Sequence, residues 1–418
     1  MDRILAKIWN SKLYGPYIFL AVALVTSYLT SISKTGTDLD AYLDAAIKLN
    51  LGVNIYNQAQ PFWSMQYYYS VFFAWILSYI CEYRICCQFI WLMLSYLMMY
   101  RTFCFILSFL KIGALDRKSQ IYFHLVFYIL FINMAIIHVS RNQMTAFLLW
   151  SIFQSFHSIG KSHFFLAASW LGIGLNIKLL SLPSLLLFFR LKNWRFWIAL
   201  VLVSIFFIVI PSLALGWQWN LDLHKLWWHV INPMNNEHII DKENYGMISI
   251  SNFVTTYLVD PGLIKEWISI DINRIFYVIQ GLRLTIILPA FAIWCQKESE
   301  KRDLFLLFYL CLITSLLFPH QNKYALLFSF PMIAYILSHY IVQKQLITSF
   351  GFLLFCLALL SYSPINGMDV IGLKWFLFFA HLKTFFFSQM ILIFISLQIH
   401  FQTRQDQKNR KKSFHFGI

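Results

Sequence analysis

The feature that most constrains this chain is a series of apolar runs, each close to the length needed to cross a bilayer. About 20 mostly apolar residues span the roughly 30 Å hydrocarbon core, where only helices and closed barrels satisfy their backbone hydrogen bonds. Of the 418 residues, 59% are hydrophobic and 12% are charged, whereas soluble domains have about 45–50% apolar and about 25% charged residues. The sequence therefore predicts an all-α polytopic membrane protein.

The charges between the apolar runs predict the path of the chain. The N-terminal "MDRILAKIWNSK" and the tail "RQDQKNRKK" are both basic, so the positive-inside rule places both termini in the cytoplasm and requires an even number of crossings. Thirteen segments are candidates, and not all of them need to cross: Tyr17–Ile32, Phe62–Ile80, Cys86–Leu110, Gln120–His138, Met144–Phe156, Phe164–Asn176, Leu179–Phe189, Phe196–Leu215, Ile275–Cys295, Leu304–Phe318, Tyr324–Ile341, Gln345–Ser363 and Trp375–Ile399.

One segment decides whether the number of membrane crossings is even. If Phe62–Ile80 crosses, the basic loop "KIGALDRKS" falls on the outer face, against the rule; if it lies along the outer surface, every basic loop faces the cytoplasm. We therefore expect about 12 transmembrane helices and a juxtamembrane helix in the first outer loop. A single long span over Phe164–Phe189 would bury Lys178 at a cost of about 2.5–3.5 kcal/mol, so we expect two short spans that meet near this lysine on the outer side.

This path makes residues 1–400 one integral membrane domain, followed by a basic cytoplasmic tail at 401–418. The first outer loop covers residues 34–86 and the large outer loop covers 217–274. The latter contains four tryptophans, which suit a helix at the membrane interface: Trp217, Trp219, Trp227 and Trp228. The net charge of +15 is scattered in short clusters, so it indicates orientation in the bilayer and no nucleic-acid partner.

Polar residues from distant parts of the chain are expected to meet at the outer face. Asp38, Asp40 and Asp44 lie within seven residues of a chain with only 18 acids. A carboxylate in the first turn of a helix is also favoured by the helix dipole, so capping is one interpretation of them. The same face would receive cations and amides that could bind a sugar and a phosphate: Arg141, Asn142, Gln143, Asn176, Lys178, His320, Gln321, Asn322 and Lys323.

Five segments, in order, carry a family resemblance. They are "DLDAYLDAAIKLNLGVNIYN" from Asp38, "YYYSVFFA" at Tyr67–Ala74, "RNQMTAFLL" at Arg141–Leu149, "GLNIKLLSLPSLLLF" at Gly174–Phe188 and "LFPHQNKYALLFSFP" at Leu317–Pro331. Together they resemble glycosyltransferase family 87, the polyprenol-phosphate-mannose-dependent mannosyltransferases with the GT-C fold. The chain departs from the family pattern where the second segment lacks its prolines, where Asn142 replaces a glycine and where Phe318 replaces a serine.

The resemblance implies a GT-C-type bundle that moves a hexose, mannose in the family, with inversion from a polyprenyl-phosphate sugar to an acceptor hydroxyl on a glycolipid or glycan. Asp38 would be the general base, and Asp40 would bind the acceptor or orient Asp38. The donor phosphate would meet Lys178, His320, Arg141 and Lys323. Substrate contacts would come from Gln143, Asn142, Tyr42 and Tyr69.

The remaining expectations concern cofactors, location and rival functions. The chain has no glycine-rich phosphate cradle, and one D-x-D is a weak metal signal, so we expect no cofactor and no obligatory metal. The expected location is a bacterial plasma membrane, with the active site on the outer face. A lipid-linked sugar flippase or transporter, and an oligosaccharide ligase or polymerase, stay open as alternatives.

Overall fold

The computed structural model describes residues 14–56, 67–191, 193–232, 234–235, 247–258, 272–342, 349–363 and 368–415. Over these ranges the regular secondary structure is entirely helical, so the all-α prediction is confirmed. The helices are α1 (Tyr14–Ser33), α2 (Asp38–Asn50), α3 (Val71–Ser78), α4 (Arg84–Phe109), α5 (Arg117–Arg141), α6 (Thr145–Gly160), α7 (Phe164–Ile177), α8 (Leu185–Phe188), α9 (Trp194–Val209), α10 (Ser212–Leu215), α11 (Trp217–Ile231), α12 (Ile250–Leu258), α13 (Ile272–Trp294), α14 (Glu300–Leu317), α15 (Phe330–Val342), α16 (Ser349–Leu360), α17 (Met368–His381) and α18 (Thr384–His415).

The long apolar helices make the chain a multi-pass membrane protein. In the described ranges, six segments are long and apolar enough to cross a bilayer: Arg84–Phe109, Arg117–Arg141, Trp194–Leu215, Arg274–Trp294, Lys323–Ile341 and Thr384–Gln405. Further apolar helices are shorter, at 10–17 residues. The expected total of about 12 crossings therefore stays a prediction.

The helical structure is interrupted at Lys178. Helix α7 has 14 residues, about 21 Å at 1.5 Å per residue, which is less than the bilayer core. Lys178 is extended, with φ −155° and ψ 132°, and a 3-10 helix follows at Leu179–Ser184. The lysine thus lies in a break between two short apolar helices, and the expected hairpin of two spans stays a prediction.

The first long loop also contains short helices. Residues 62–66 of the segment Phe62–Ile80 lie outside the described residues, and Val71–Ser78 of the remainder form the eight-residue helix α3. This helix begins where it does because the Ser70 hydroxyl accepts a hydrogen bond from the Phe73 amide at 3.2 Å. At about 12 Å it is too short to cross a bilayer.

The tryptophan-rich helix α11 has two faces. It buries Leu223 and Trp227, whereas Trp217 and Trp228 are exposed. This division is what a helix lying in a membrane interface requires.

The bundle has two polar ends, which lie beyond opposite ends of α14. We call the end with Asp38, Arg141, Lys178 and His320 the site end. The paired end consists of polar residues beside the start of α14: Arg190, Gln296, Glu298, Arg302 and Asp303. There the Arg190 guanidinium donates to the Trp294 and Gln296 carbonyls at 2.7 and 2.8 Å.

Candidate active site

The position of Asp38 is set by the cap of helix α2. Thr37 is the N-cap residue, in an extended conformation, and its amide donates to the Asp40 carboxylate at 2.8 Å. This is a capping box, which closes the first turn of a helix. Asp38 therefore lies at the first helical position, where the helix dipole favours a negative charge.

Asp40 is held by the neighbouring helix. The Arg84 guanidinium donates to Asp40 Oδ1 at 2.6 Å and to Oδ2 at 3.3 Å. Burial alone would raise the pKa of Asp40, but the hydrogen bonds from Arg84 and Thr37 hold it below its usual value. The capping interpretation thus describes Asp40. The third acid, Asp44, is exposed and pairs with Lys48 at 2.5 Å.

The Asp38 carboxylate has a different environment. It is half-buried, and the hydrogen bonds and ion pairs of the described chain do not include it. Burial raises its pKa to about 6, although the positive charges of Lys178 and Arg141 both act to lower it. A carboxyl with this pKa is ionised at neutral pH and can still accept a proton, as a general base requires.

Lys178 is the main cation opposite Asp38. Its ammonium lies 4.8 Å from the centroid of the Tyr69 ring. Desolvation lowers the pKa of Lys178 to about 8, and the Asp38 charge opposes this change. The two charges influence each other, but they form no ion pair among the described residues.

Tyrosines and an amide line the site beside these charges. The Tyr42 hydroxyl donates to the Tyr69 hydroxyl at 2.7 Å, and the Tyr69 hydroxyl donates to Gln143 Oε1 at 3.5 Å. The Gln143 side chain is 1% exposed, and its Nε2 has no hydrogen-bond partner within the described part of the chain. A buried amide of this kind is costly unless a ligand or water pairs with it.

Tyr69 lies in an extended stretch that other elements fix in place. Its carbonyl accepts from the Tyr56 hydroxyl at 2.9 Å, and the Ser70 amide donates to the Ile177 carbonyl at 3.2 Å. This stretch therefore connects the first long loop to the residue that precedes Lys178.

Asn142 forms a sharp corner after helix α5. Its φ of 55° and ψ of 43° are left-handed, a conformation that glycine adopts freely and asparagine tolerates. This explains why asparagine can replace the glycine of the family pattern. Its side chain donates to Thr37 Oγ1 at 2.9 Å, its carbonyl accepts from Trp91 at 3.0 Å, and its Oδ1 is unpaired among the described residues.

His320 and Lys323, the two predicted phosphate ligands of the later loop, contact different parts of the bundle. His320 stacks on Tyr68, with ring centroids 5.2 Å apart. Lys323 turns toward helices α17 and α18, where its ammonium lies 3.5 Å from the centroid of Phe376 and 4.4 Å from that of Phe385. The structure thus gives Lys323 aromatic neighbours and does not bring it into contact with Asp38.

Sequence reasoning missed Tyr324 and Arg84. Tyr324 is close enough to Asp38 and Arg141 for their charges to interact with it. Its position directly after the His320–Lys323 run was a usable signal. Arg84 gave no such signal, because its partner is 44 residues away in the sequence.

An apolar cavity of about 470 Å³ lies beside the charged residues. Its lining includes Leu39, which follows Asp38, and Ile177, which precedes Lys178, together with Phe73 and Trp91. No lining residue is charged. The cavity is therefore apolar, and two of its lining residues are the direct sequence neighbours of Asp38 and Lys178.

Metal-ligating side chains are dispersed. In the described ranges, no group of three or more His, Cys, Asp or Glu side chains could hold a metal ion. The expectation about metal dependence stays a prediction.

The fold and the site define a multi-pass membrane protein with a carboxylate and cations gathered at one end of a helical bundle. The sequence model of glycosyltransferase family 87 matches residues 67–319, more than half of the chain. The protein belongs to glycosyltransferase family 87 and is a membrane glycosyltransferase. A comparison with curated proteins returns no match. The matched region includes Arg141 and Lys178, whereas Asp38 and His320 lie outside it.

Proposed function

We propose that the protein transfers a hexose, with mannose as the expected sugar, from a polyprenyl-phosphate donor to a hydroxyl of a glycolipid or glycan, with inversion. The observation that carries this proposal is the half-buried Asp38, which faces Lys178 and Arg141 without pairing with either. A base and a phosphate-binding pair are what this reaction asks of an enzyme.

In the reaction, Asp38 accepts the proton of the acceptor hydroxyl. The acceptor oxygen forms a bond to the anomeric carbon as the bond from that carbon to the phosphate oxygen breaks. The electron pair of the broken bond leaves with the polyprenyl phosphate. One general base that is positioned for such a proton transfer contributes about 10²–10⁴ in rate.

The leaving phosphate meets the cations of the site end. Lys178 is the principal ligand in this proposal, because it is partly desolvated and lies opposite Asp38. Arg141 adds a second charge, and His320 a further polar contact from the later loop. Charge-assisted hydrogen bonds from fixed cations stabilise a leaving group most when water is excluded. Lys323 would contribute only if a bound phosphate drew it away from its aromatic neighbours.

Sugar hydroxyls would pair with the buried polar atoms that line the site. Gln143 Nε2 and Asn142 Oδ1 each have capacity for a further hydrogen bond among the described residues. The hydroxyls of Tyr42 and Tyr69, already bonded to each other, would present one edge of their pair to the sugar. Asp40 has a positioning role here, because its carboxylate is used by the cap and by Arg84.

The apolar cavity supports a lipid donor over a soluble one. Its lining includes Leu39 and Ile177, the direct sequence neighbours of the base and of the principal phosphate ligand. An isoprenoid chain in this cavity would place its phosphate between the two. The active site would then open at the outer face of a bacterial plasma membrane, with both termini in the cytoplasm.

Donor dependence is the first test. Proteoliposomes that contain the protein and lipids of the source cells would be supplied with farnesyl-phosphoryl-mannose or farnesyl-phosphoryl-glucose, and released farnesyl phosphate would be measured. We expect release that depends on Asp38. Translocation of the lipid-linked sugar without its cleavage, unchanged in Asp38→Asn, would favour a flippase instead. Transfer of preassembled oligosaccharides would favour a ligase or polymerase.

Orientation is tested separately. In a variant without native cysteines, Ser119→Cys should react with an impermeant thiol reagent only from the cytoplasmic side. Labelling of this residue from the outside would contradict the proposed path.

A further inference from the structure

We propose that Arg84 is a positioning residue for Asp38, and that it acts through Asp40 and Thr37. Arg84 lies at the start of helix α4 and does not touch the reacting atoms. The inference rests on the proposed function, because it assumes that Asp38 is the base.

The Arg84 guanidinium contacts the chain at two points. Its Nε and one terminal nitrogen engage both oxygens of Asp40, at 2.6 and 3.3 Å. The same terminal nitrogen donates to the Lys34 carbonyl at 2.8 Å. Arg84 therefore holds the chain on both sides of the cap residue Thr37, in the planar geometry that suits a guanidinium and a carboxylate.

Asn142 holds the cap residue Thr37 from another side. Asn142 donates to Thr37 Oγ1 at 2.9 Å, and its own carbonyl accepts from Trp91 at 3.0 Å. Trp91 lies seven residues after Arg84 on helix α4, so both side chains project from one face of that helix. Helix α4 thus fixes the cap directly through Arg84 and indirectly through Trp91.

Arg84 also affects the charges around Asp38. Asp38 is faced by Lys178 from the α7 break, by Arg141 from the end of α5, and by the hydroxyls of Tyr42, Tyr69 and Tyr324. Asp40 stands two residues away, and Arg84 balances its negative charge. Without Arg84, the second carboxylate would disfavour ionisation of Asp38. Arg84 therefore fixes the backbone of the cap that carries the base, and it balances the charge of the second carboxylate beside it.

The test compares Arg84→Gln with Arg84→Lys in proteoliposomes that contain the protein and lipids of the source cells, with farnesyl-phosphoryl-mannose as the probe. For Arg84→Gln we expect kcat to fall about tenfold or more, because misplacement of a catalytic group is costly. The acid limb of the kcat/KM profile should move up by about half a pH unit, whereas KM for the donor changes less. Arg84→Lys restores the positive charge but not the two-pronged guanidinium contact. The acid limb of the kcat/KM profile should therefore return to its wild-type position, while kcat recovers only in part.

A variant of Asp40, the partner of Arg84, should not move the acid limb of the kcat/KM profile to higher pH. Asp40→Asn removes the negative charge and leaves Arg84 in place, so kcat should fall while the acid limb moves down or stays. This variant also serves if Arg84→Gln does not fold, as judged by gel filtration and thermal unfolding in detergent. The matched control is Asp44→Asn, which removes an exposed carboxylate that pairs with Lys48 on the same helix and should leave both parameters unchanged.

The outcomes separate this inference from the proposed function. If Asp38→Asn is inactive but Arg84→Gln keeps its kcat and its acid limb, the positioning role is wrong and the base assignment stands. A loss that is equal at every pH and that Arg84→Lys does not reverse would equally overturn it, since it would indicate a purely structural contact. Full activity of Asp38→Asn would instead refute the base itself.

Discussion

The two polar ends of the bundle treat their charges in opposite ways. At the paired end, Arg302 donates to the Gln296 carbonyl at 2.7 Å and to its neighbour Asp303, and Arg190 lies 3.6 Å from Glu298. At the site end, Asp38 and Lys178 influence each other without contact. Both ends contain charged groups of both signs, but only the first end satisfies them internally.

The difference concerns the cost of burial. A buried charge or amide without a partner lowers stability, so a protein rarely keeps one without use for it. At the paired end, Arg190, Arg302 and Asp303 are all paired within the described part of the chain. The site end keeps the Asp38 carboxylate, the Lys178 ammonium and the Gln143 amide available for a ligand. The contrast can be tested by mutating each end in turn.

The largest effect is expected from Asp38→Asn. The amide cannot accept the acceptor proton, so transfer should fall by about 10³-fold or more. The rate of farnesyl phosphate release in proteoliposomes measures this, and Asp44→Asn is the control on the same helix. Wild-type release by the Asp38 variant would show that the unpaired carboxylate of the site end is not the base.

A smaller loss is expected from Lys178→Gln. Removal of a fixed cation at a developing charge typically costs about 10²–10³ in kcat. Because Lys178 also lowers the pKa of Asp38, its loss should raise the pH at which activity appears. The kcat/KM profile of the variant, measured against that of Lys225→Gln at an exposed ion pair, checks both effects. An acid limb that does not move would contradict the electrostatic link between the two residues.

The wild-type pH dependence follows from the same pair. Asp38 must be ionised, so kcat/KM should fall about tenfold per unit as pH drops below about 6, the pKa of Asp38. Lys178 must be charged, so kcat/KM should also fall as pH rises above about 8, its own pKa. The expected profile is a bell between these values. A flat profile from pH 5 to pH 9 would exclude this charge assignment.

The smallest effect on transfer is expected from Arg302→Gln at the paired end. Arg302 is 4% exposed, and loss of its hydrogen bonds should lower the stability by about 1.5–3 kcal/mol. Transfer per folded molecule should change less than about twofold. Thermal unfolding in detergent and donor turnover measure the two quantities. A large loss of kcat in well-folded protein would mean that the two ends are coupled.

Patterns of composition and local sequence predicted the class of fold and part of the site. Apolar run length predicted a helical membrane protein, and the cost of burying Lys178 predicted the break where α7 ends. The number of crossings could not be fixed from the sequence, because the charges of loops orient a helix but do not show how deeply it lies in the membrane. The short apolar helices are the ones on which that count depends.

Side-chain partners across the sequence were the least predictable part. Asp40 could be interpreted as a catalytic or a capping residue, and its contacts with Thr37 and with Arg84, 44 positions away, separate the two. Lys323 was grouped with Lys178 because both follow apolar runs at the same expected face. Its aromatic neighbours on two later helices depend on packing that no local pattern encodes.

The left-handed corner at Asn142 makes three adjacent residues serve three different partners. Arg141 contributes its charge to Asp38, Asn142 is bonded to Thr37, and Gln143 reaches Tyr69. Insertion or deletion of one residue here would shift every one of these assignments at once. The length of the segment that joins α5 to α6 is therefore as constrained as the identity of its residues.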